Sequence, residues 1–114
     1  MIKLLTLLLL SPIAHSAEKD VNKLWCASMN GDYEFRTKDG TYVDCIIEEF
    51  AVEAEYDYKW KEAIGQSLHY AETTNKKAAI LFIKRSGSNK DYLSELNRVI
   101  TKFKLPILVF TTEE

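Results

Sequence analysis

Between residues 41 and 56 apolar and polar side chains alternate with period two, which predicts extended strands rather than helix. The alternation continues the short run 33–36 across Lys38-Asp39-Gly40, and Asp-Gly between two alternating runs predicts a hairpin. The strand over 41–47 is expected to set Val43, Cys45 and Ile47 on one face and Tyr42, Asp44 and Ile46 on the other. Glu48-Glu49 turns the chain into a strand over 50–56, where Val52, Ala54 and Tyr56 face away from Glu53 and Glu55.

Helical spacing flanks this meander. Val21, Leu24, Trp25 and Ser28 or Met29 predict a helix over 18–30, stopped by Asn30-Gly31. Trp60, Ala63, Ile64, Ser67, Leu68 and Ala71 predict a second over 58–72, with Asp57 as its cap and Lys59, Gln66, His69 and Tyr70 along a flank. The unbroken apolar run 78–83 reads as a central strand covered on both faces. A helix over 91–103 and a strand over 106–110 follow. The order helix, three strands, helix, strand, helix, strand predicts an α/β domain with a mixed sheet between helices.

Composition narrows this picture. Lys3, the apolar run 4–10, Ser11-Pro12 and the small-residue stretch Ala14-His15-Ser16-Ala17 predict a secretory signal peptide over 1–16. That leaves one domain, 17–114, expected in the periplasm or secreted. With 15 basic and 17 acidic residues the precursor is slightly acidic, and the leader takes away Lys3 but no acid. Such a balance argues against a protein that holds nucleic acid by net charge alone. Cys26 and Cys45 are the two cysteines. In an exported protein they are expected to pair, tying the first helix to the sheet; the alternative is two small buried hydrophobes that never meet.

Chemistry is expected at three acids. If the two strands are antiparallel neighbours, Asp44, Glu53 and Glu55 point from one face toward one place. Such a cluster is unfavourable unless it takes up a proton or a cation. A hard divalent ion, Mg²⁺ or Mn²⁺, is the usual partner of carboxylate oxygens and commonly serves phosphate chemistry.

With Asp44 on the second strand, Glu53-Ala-Glu55 on the third and Gln66-x-x-x-Tyr70 on the next helix, the chain resembles the PD-(D/E)xK phosphodiesterase superfamily, with its restriction-endonuclease-like fold. The Gln-x-x-x-Tyr helix resembles the RecB-type exonuclease branch. The resemblance implies that Asp44 and Glu53 are metal ligands and that Gln66 and Tyr70 approach the active site and the nucleic-acid backbone. Glu55 departs from the pattern, which expects lysine there. It is left as a third ligand or a base for water, with Lys59 one turn into the helix as a substitute cation. Arg36, expected near Asp44 across the hairpin, and Lys76 and Lys77 after the helix are candidate phosphate contacts. The function implied is an exported, metal-dependent nuclease with DNA as the expected substrate. Two other readings stay open. One is a catalytically degenerate binding module of the same fold. The other is a small disulfide-stabilised envelope protein, in which Glu53 and Glu55 merely decorate a wet sheet face.

Overall fold

The computed structural model describes residues 17–114; the leader expected over 1–16 lies outside the described residues. The elements are α1 (Ala17–Ser28), β1 (Asp32–Arg36), β2 (Tyr42–Ile47), β3 (Phe50–Tyr56), a 3₁₀ turn (Asp57–Lys59), α2 (Trp60–Thr74), β4 (Lys77–Lys84), α3 (Tyr92–Phe103) and β5 (Ile107–Glu113). The five strands form one sheet in the order β1-β2-β3-β4-β5. The first three are antiparallel neighbours, and β3, β4 and β5 are parallel, so β2 alone runs against the rest. The expected α/β class, mixed sheet and element order are present.

Two apolar layers sandwich the sheet. On one face, Val21, Trp25 and Cys26 of α1 pack on Cys45, Val52, Ala54, Ala79, Leu81 and Ile83. On the other, α2 and α3 bring Trp60, Ala63 and Leu96 onto Ala78, Ile80 and Phe82. Because β4 is covered on both sides, its residues 78–83 are all buried, which is why the run reads as unbroken apolar sequence.

The Cys26–Cys45 disulfide forms, with Cα atoms 5.9 Å apart, and joins α1 to β2. The chain leaves α1 through Asn30 at φ 56°, with the Gly31 N–H donating to the Cys26 carbonyl at 2.8 Å. Gly31 passes so close to the bridge that a Cβ there would lie 2.5 Å from Cys45 Sγ and 2.8 Å from Cys26 Sγ.

Three expectations are corrected. The buried face of α1 carries Val21, Asn22, Trp25 and Cys26, while Leu24 is 74% exposed and Ser28 and Met29 face solvent. The bridge and Asn22 turn the helix away from the purely apolar stripe. Asp57 does not cap α2: it opens the 3₁₀ turn, and its Oδ1 accepts from the Tyr58 N–H and from Arg85 Nε, both at 2.9 Å. Finally, Val43 does not share a face with Cys45 and Ile47. It packs with Ile46, Ala51 and Tyr70, whereas Cys45 and Ile47 lie under α1, because the regular pleat of β2 fails at Asp44.

Candidate functional site

The failure at Asp44 shows in both ladders. On the β1 side, Tyr33 pairs with Cys45 and Phe35 with Val43, but the intervening Glu34 and Asp44 do not pair. Glu34 has φ 52°, a left-handed backbone that a glutamate in mid-strand rarely adopts. On the β3 side, pairing runs only from Cys45–Ile47 to Phe50–Val52, so β2 and β3 part beyond Val52. Along that opening the backbone of β3 needs other partners. The Asp44 carboxylate supplies one, its Oδ2 accepting from the Ala54 N–H at 2.8 Å. The Asp44 carbonyl, released from the ladder, accepts from Asn22 Nδ2 of α1 at 3.1 Å.

Glu53 and Glu55 lie on this parted stretch of β3, with alternate residues Val52 and Ala54 under α1. Glu53 is 2% exposed and Glu55 8%, and Asp44 is half-buried. Burial raises the Asp44 carboxyl above the usual carboxylate range, against the hydrogen bonds from Glu53 and Ala54. Burial raises Glu53 much further, helped by its hydrogen bond to Asp44 and by the charges of Asp44 and Glu55. The pair therefore holds a proton that neither acid would keep alone in water. Glu55 is pushed up to about 7, first by burial and then by Glu18 of α1, with Lys59 pulling the other way. Burial raises the Tyr70 phenol as well, with the charges of Glu53, Asp44 and Glu55 adding to it, while its ring packs on Val43, Ile46 and Ala51.

The expected constellation is thus gathered in large part. Asp44, Glu53, Glu55 and Tyr70 form one electrostatic group, and Lys59 acts on Glu55. Gln66 reaches the group through Tyr70, whose hydroxyl donates to Gln66 Oε1 at 3.3 Å. The other basic candidates fall elsewhere. Arg36 pairs with Tyr42 at the hairpin end and lies over its ring, and Glu34 occupies the place opposite Asp44. Lys76 Nζ donates to the Glu48 carbonyl at 2.8 Å, and Lys77 pairs with Glu49 at 3.4 Å. Both lysines sit at the β2–β3 turn, near the opposite end of β3 from Glu55.

Three participants escaped the sequence reading. Glu18, Asn22 and Glu34 line a cleft of about 210 Å³ with Lys19, Tyr33, Asp44 and Ala54. Lys19 pairs with Glu34 at 3.5 Å across its mouth. The signal for two of them was present: Glu18, Asn22 and Cys26 are spaced by four, so a helix that turns Cys26 to the sheet turns the other two with it. Asn22 is 4% exposed, and its Oδ1 has no hydrogen-bond donor among the described residues.

The donor set is all oxygen and mostly carboxylate, the chemistry that hard divalent ions favour. Among the described residues no group of three or more His, Cys, Asp or Glu is already spaced to hold a metal ion. Asp44 and Glu53 are the adjacent pair in contact. Two carboxylates are within what Mg²⁺ asks of a protein, since that ion keeps several waters.

The chain matches no family model and no solved structure. It is similar to two putative KilA-N domain-containing proteins of Acanthamoeba polyphaga mimivirus. One is 29% identical over 93 residues, the other 30% identical over 91. These alignments cover 82% and 80% of this chain but only 37% and 24% of the relatives. The chain spans well under half the length of either.

Proposed function

We propose that this chain is a metal-dependent phosphodiesterase acting on nucleic acid, with Asp44 and Glu53 at its centre. One observation carries the reading. Where β2 and β3 part, two carboxyls are buried against each other with no cationic side chain between them, and they relieve the conflict by keeping a proton. An ordinary structural acid in this fold is treated differently, as Asp57 shows with its Arg85 partner. A strand order of one to five with the second strand reversed, between helices on both faces, supports the restriction-endonuclease-like assignment. The KilA-N designation of both viral relatives favours DNA as the polymer. The expected leader would place the activity outside the cytoplasm.

In this reading Asp44 and Glu53 hold Mg²⁺ or Mn²⁺, which supplies positive charge for the phosphate oxygens and acidity for a bound water. The chain's own groups do the rest. Glu55, pushed up to about 7 by burial and Glu18, is suited to accept the proton of an attacking water near neutrality. Lys59, the cation acting on Glu55, is the group available to meet developing negative charge. Tyr70 and Gln66 present a hydroxyl and an amide along the rim, where a phosphate backbone would pass. Incubation of residues 17–114 with plasmid and Mn²⁺ is expected to nick the DNA, and Asp44→Ala or Glu53→Ala to lower the rate at least about a hundredfold. Cleavage that persists in both variants or without a divalent ion rules the assignment out.

The second reading is a binding module of the same fold without turnover. The specific feature in its favour is Glu55, an acid where the superfamily pattern places lysine. It predicts salt-sensitive DNA binding with no nicking in Mg²⁺ or Mn²⁺.

A further inference from the structure

Helix α1 presents Glu18, Asn22 and Cys26 to the sheet on one stripe, and all three meet the parted strands. Glu18 acts on Glu55, Asn22 Nδ2 holds the Asp44 carbonyl at 3.1 Å, and Cys26 is bonded to Cys45, the residue next to Asp44. The backbone of Asp44 is therefore gripped twice from the same helix, by a covalent bond one residue on and by an amide at its own carbonyl. Its carboxylate in turn holds Ala54 N–H at 2.8 Å. Asn22 is a poor choice for packing alone. It is 4% exposed and its Oδ1 lacks a donor among the described residues, whereas leucine would fill the same space with no unpaired atom of its own and give up only the bond to the Asp44 carbonyl.

We propose that α1 is a redox-governed brace for the carboxylate site: the Cys26–Cys45 bridge keeps Asn22 on the Asp44 carbonyl, and Asn22 fixes where the Asp44 carboxylate stands. Asn22 is a positioning residue, acting on ligands through Asp44. A dithiol opens the brace by thiol–disulfide exchange. Two electrons and two protons pass to the cysteine sulfurs, and the dithiol leaves as its own disulfide. Oxidising surroundings keep the bridge closed, and the reducing interior of a cell favours the open form. Regulation of metal binding by this brace rests on the function proposed above; the mechanical part does not.

Asn22→Leu with the bridge intact separates positioning from folding, and reduced wild type tests the bridge. The readouts are amide hydrogen exchange resolved at Ala54, exchange at Ile80 and Leu81 in β4, and calorimetric titration with Mn²⁺. Asn22→Leu is expected to speed exchange at Ala54 by about tenfold while Ile80 and Leu81 keep their protection. It is also expected to weaken Mn²⁺ binding by about tenfold, the usual penalty for losing a group that orients a metal ligand. Reducing the wild type should reproduce both changes, and reducing the Asn22→Leu protein should add little. The brace is overturned if Ala54 exchange in Asn22→Leu stays within about twofold of wild type, or if β4 loosens in step with it. A reduction effect as large in Asn22→Leu as in wild type overturns the link between bridge and amide. Wild type that binds no Mn²⁺ sinks the metal-dependent function instead, and Ala54 exchange then decides the brace by itself.

Discussion

Glu53 and Asp57 lie four residues apart on one stretch of chain, are only 2% and 1% exposed, and are treated in opposite ways. Burial pushes Asp57 upward too, but hydrogen bonds from Ser88, Arg85 and the Tyr58 N–H outweigh it and hold that carboxyl below its usual range. The Arg85 guanidinium lies over the Tyr58 ring, 4.2 Å from its centroid, which fixes it against Asp57. Glu53 meets two more carboxyls instead of a guanidinium and is driven far upward. Solvent exposure is nearly equal, but Glu53 sits deeper among protein atoms, so both the weight of burial and the company each acid keeps set the two apart. An acid that comes with its own cation holds the fold together; one that comes with other acids is, in the function proposed above, where a cation would bind.

That contrast can be broken at either end. The largest effect is expected from Arg85→Ala, which leaves Asp57 buried without its cation. Urea unfolding should show a clear loss of stability, smaller than for a fully buried pair because Arg85 is more than a third exposed and solvent screens its charge. A loss below about 0.5 kcal/mol would erase the distinction between the two acids.

Next in size is the pH dependence. Glu55 has a raised carboxyl, so over the window from about 4.5 to about 7 the folded chain holds a proton that the unfolded chain has released. The contribution of Glu55 is therefore fully present below 4.5 and is lost as pH climbs through 7, and Glu53 adds to the decline over the same window and carries it into more alkaline solution. Thermal melts between pH 4.5 and 8 should show a fall that Glu55→Gln makes shallower by on the order of 2 kcal/mol, the remainder belonging to Glu53 and Asp44. Stability rising with pH over that window would contradict the reading.

Glu53→Gln sharpens the comparison from the other side. Glu53 keeps its proton at neutrality, so the amide is expected to change stability by less than about 1 kcal/mol at pH 7 while abolishing Mn²⁺ binding. Chemical unfolding and calorimetry on one sample check both halves. The smallest effect belongs to Tyr70→Phe. It removes the 3.3 Å bond to Gln66 but leaves the ring on Val43, Ile46 and Ala51, and should lower stability by about 0.5 kcal/mol.

Much of the architecture was legible from residue pattern. The 78–83 run, the alternation of Val52 and Ala54 with Glu53 and Glu55, and the Asp39-Gly40 turn (Gly40 at φ 88°) each express a local rule that the fold obeys. That Asp44, Glu53 and Glu55 point toward one place was expected from the same alternation, whereas the approach of Tyr70 was implied by the family resemblance. What was not legible depends on a rule failing. Period two, carried through Asp44, puts Val43 on the side of Cys45; only a pleat that breaks at Asp44 turns it toward Tyr70. Asn22 was hidden because an amide on a helix reads as solvent-facing until one knows that a backbone carbonyl has been freed opposite it. Arg36, Lys76 and Lys77 were judged by charge and proximity in sequence. Their positions are set instead by the hairpin end and the β2–β3 turn.

Gly31 shows how far the influence of a single hydrogen atom extends. It carries no functional group, yet alanine at that position would drive its methyl into both sulfurs of the cystine. A saturation library scored for the proposed nuclease activity should therefore return residue 31 among its intolerant positions, clustered with residues it never contacts. The lesion there would be a pair of cysteines kept from oxidising, and it would look from outside like damage to the acids themselves.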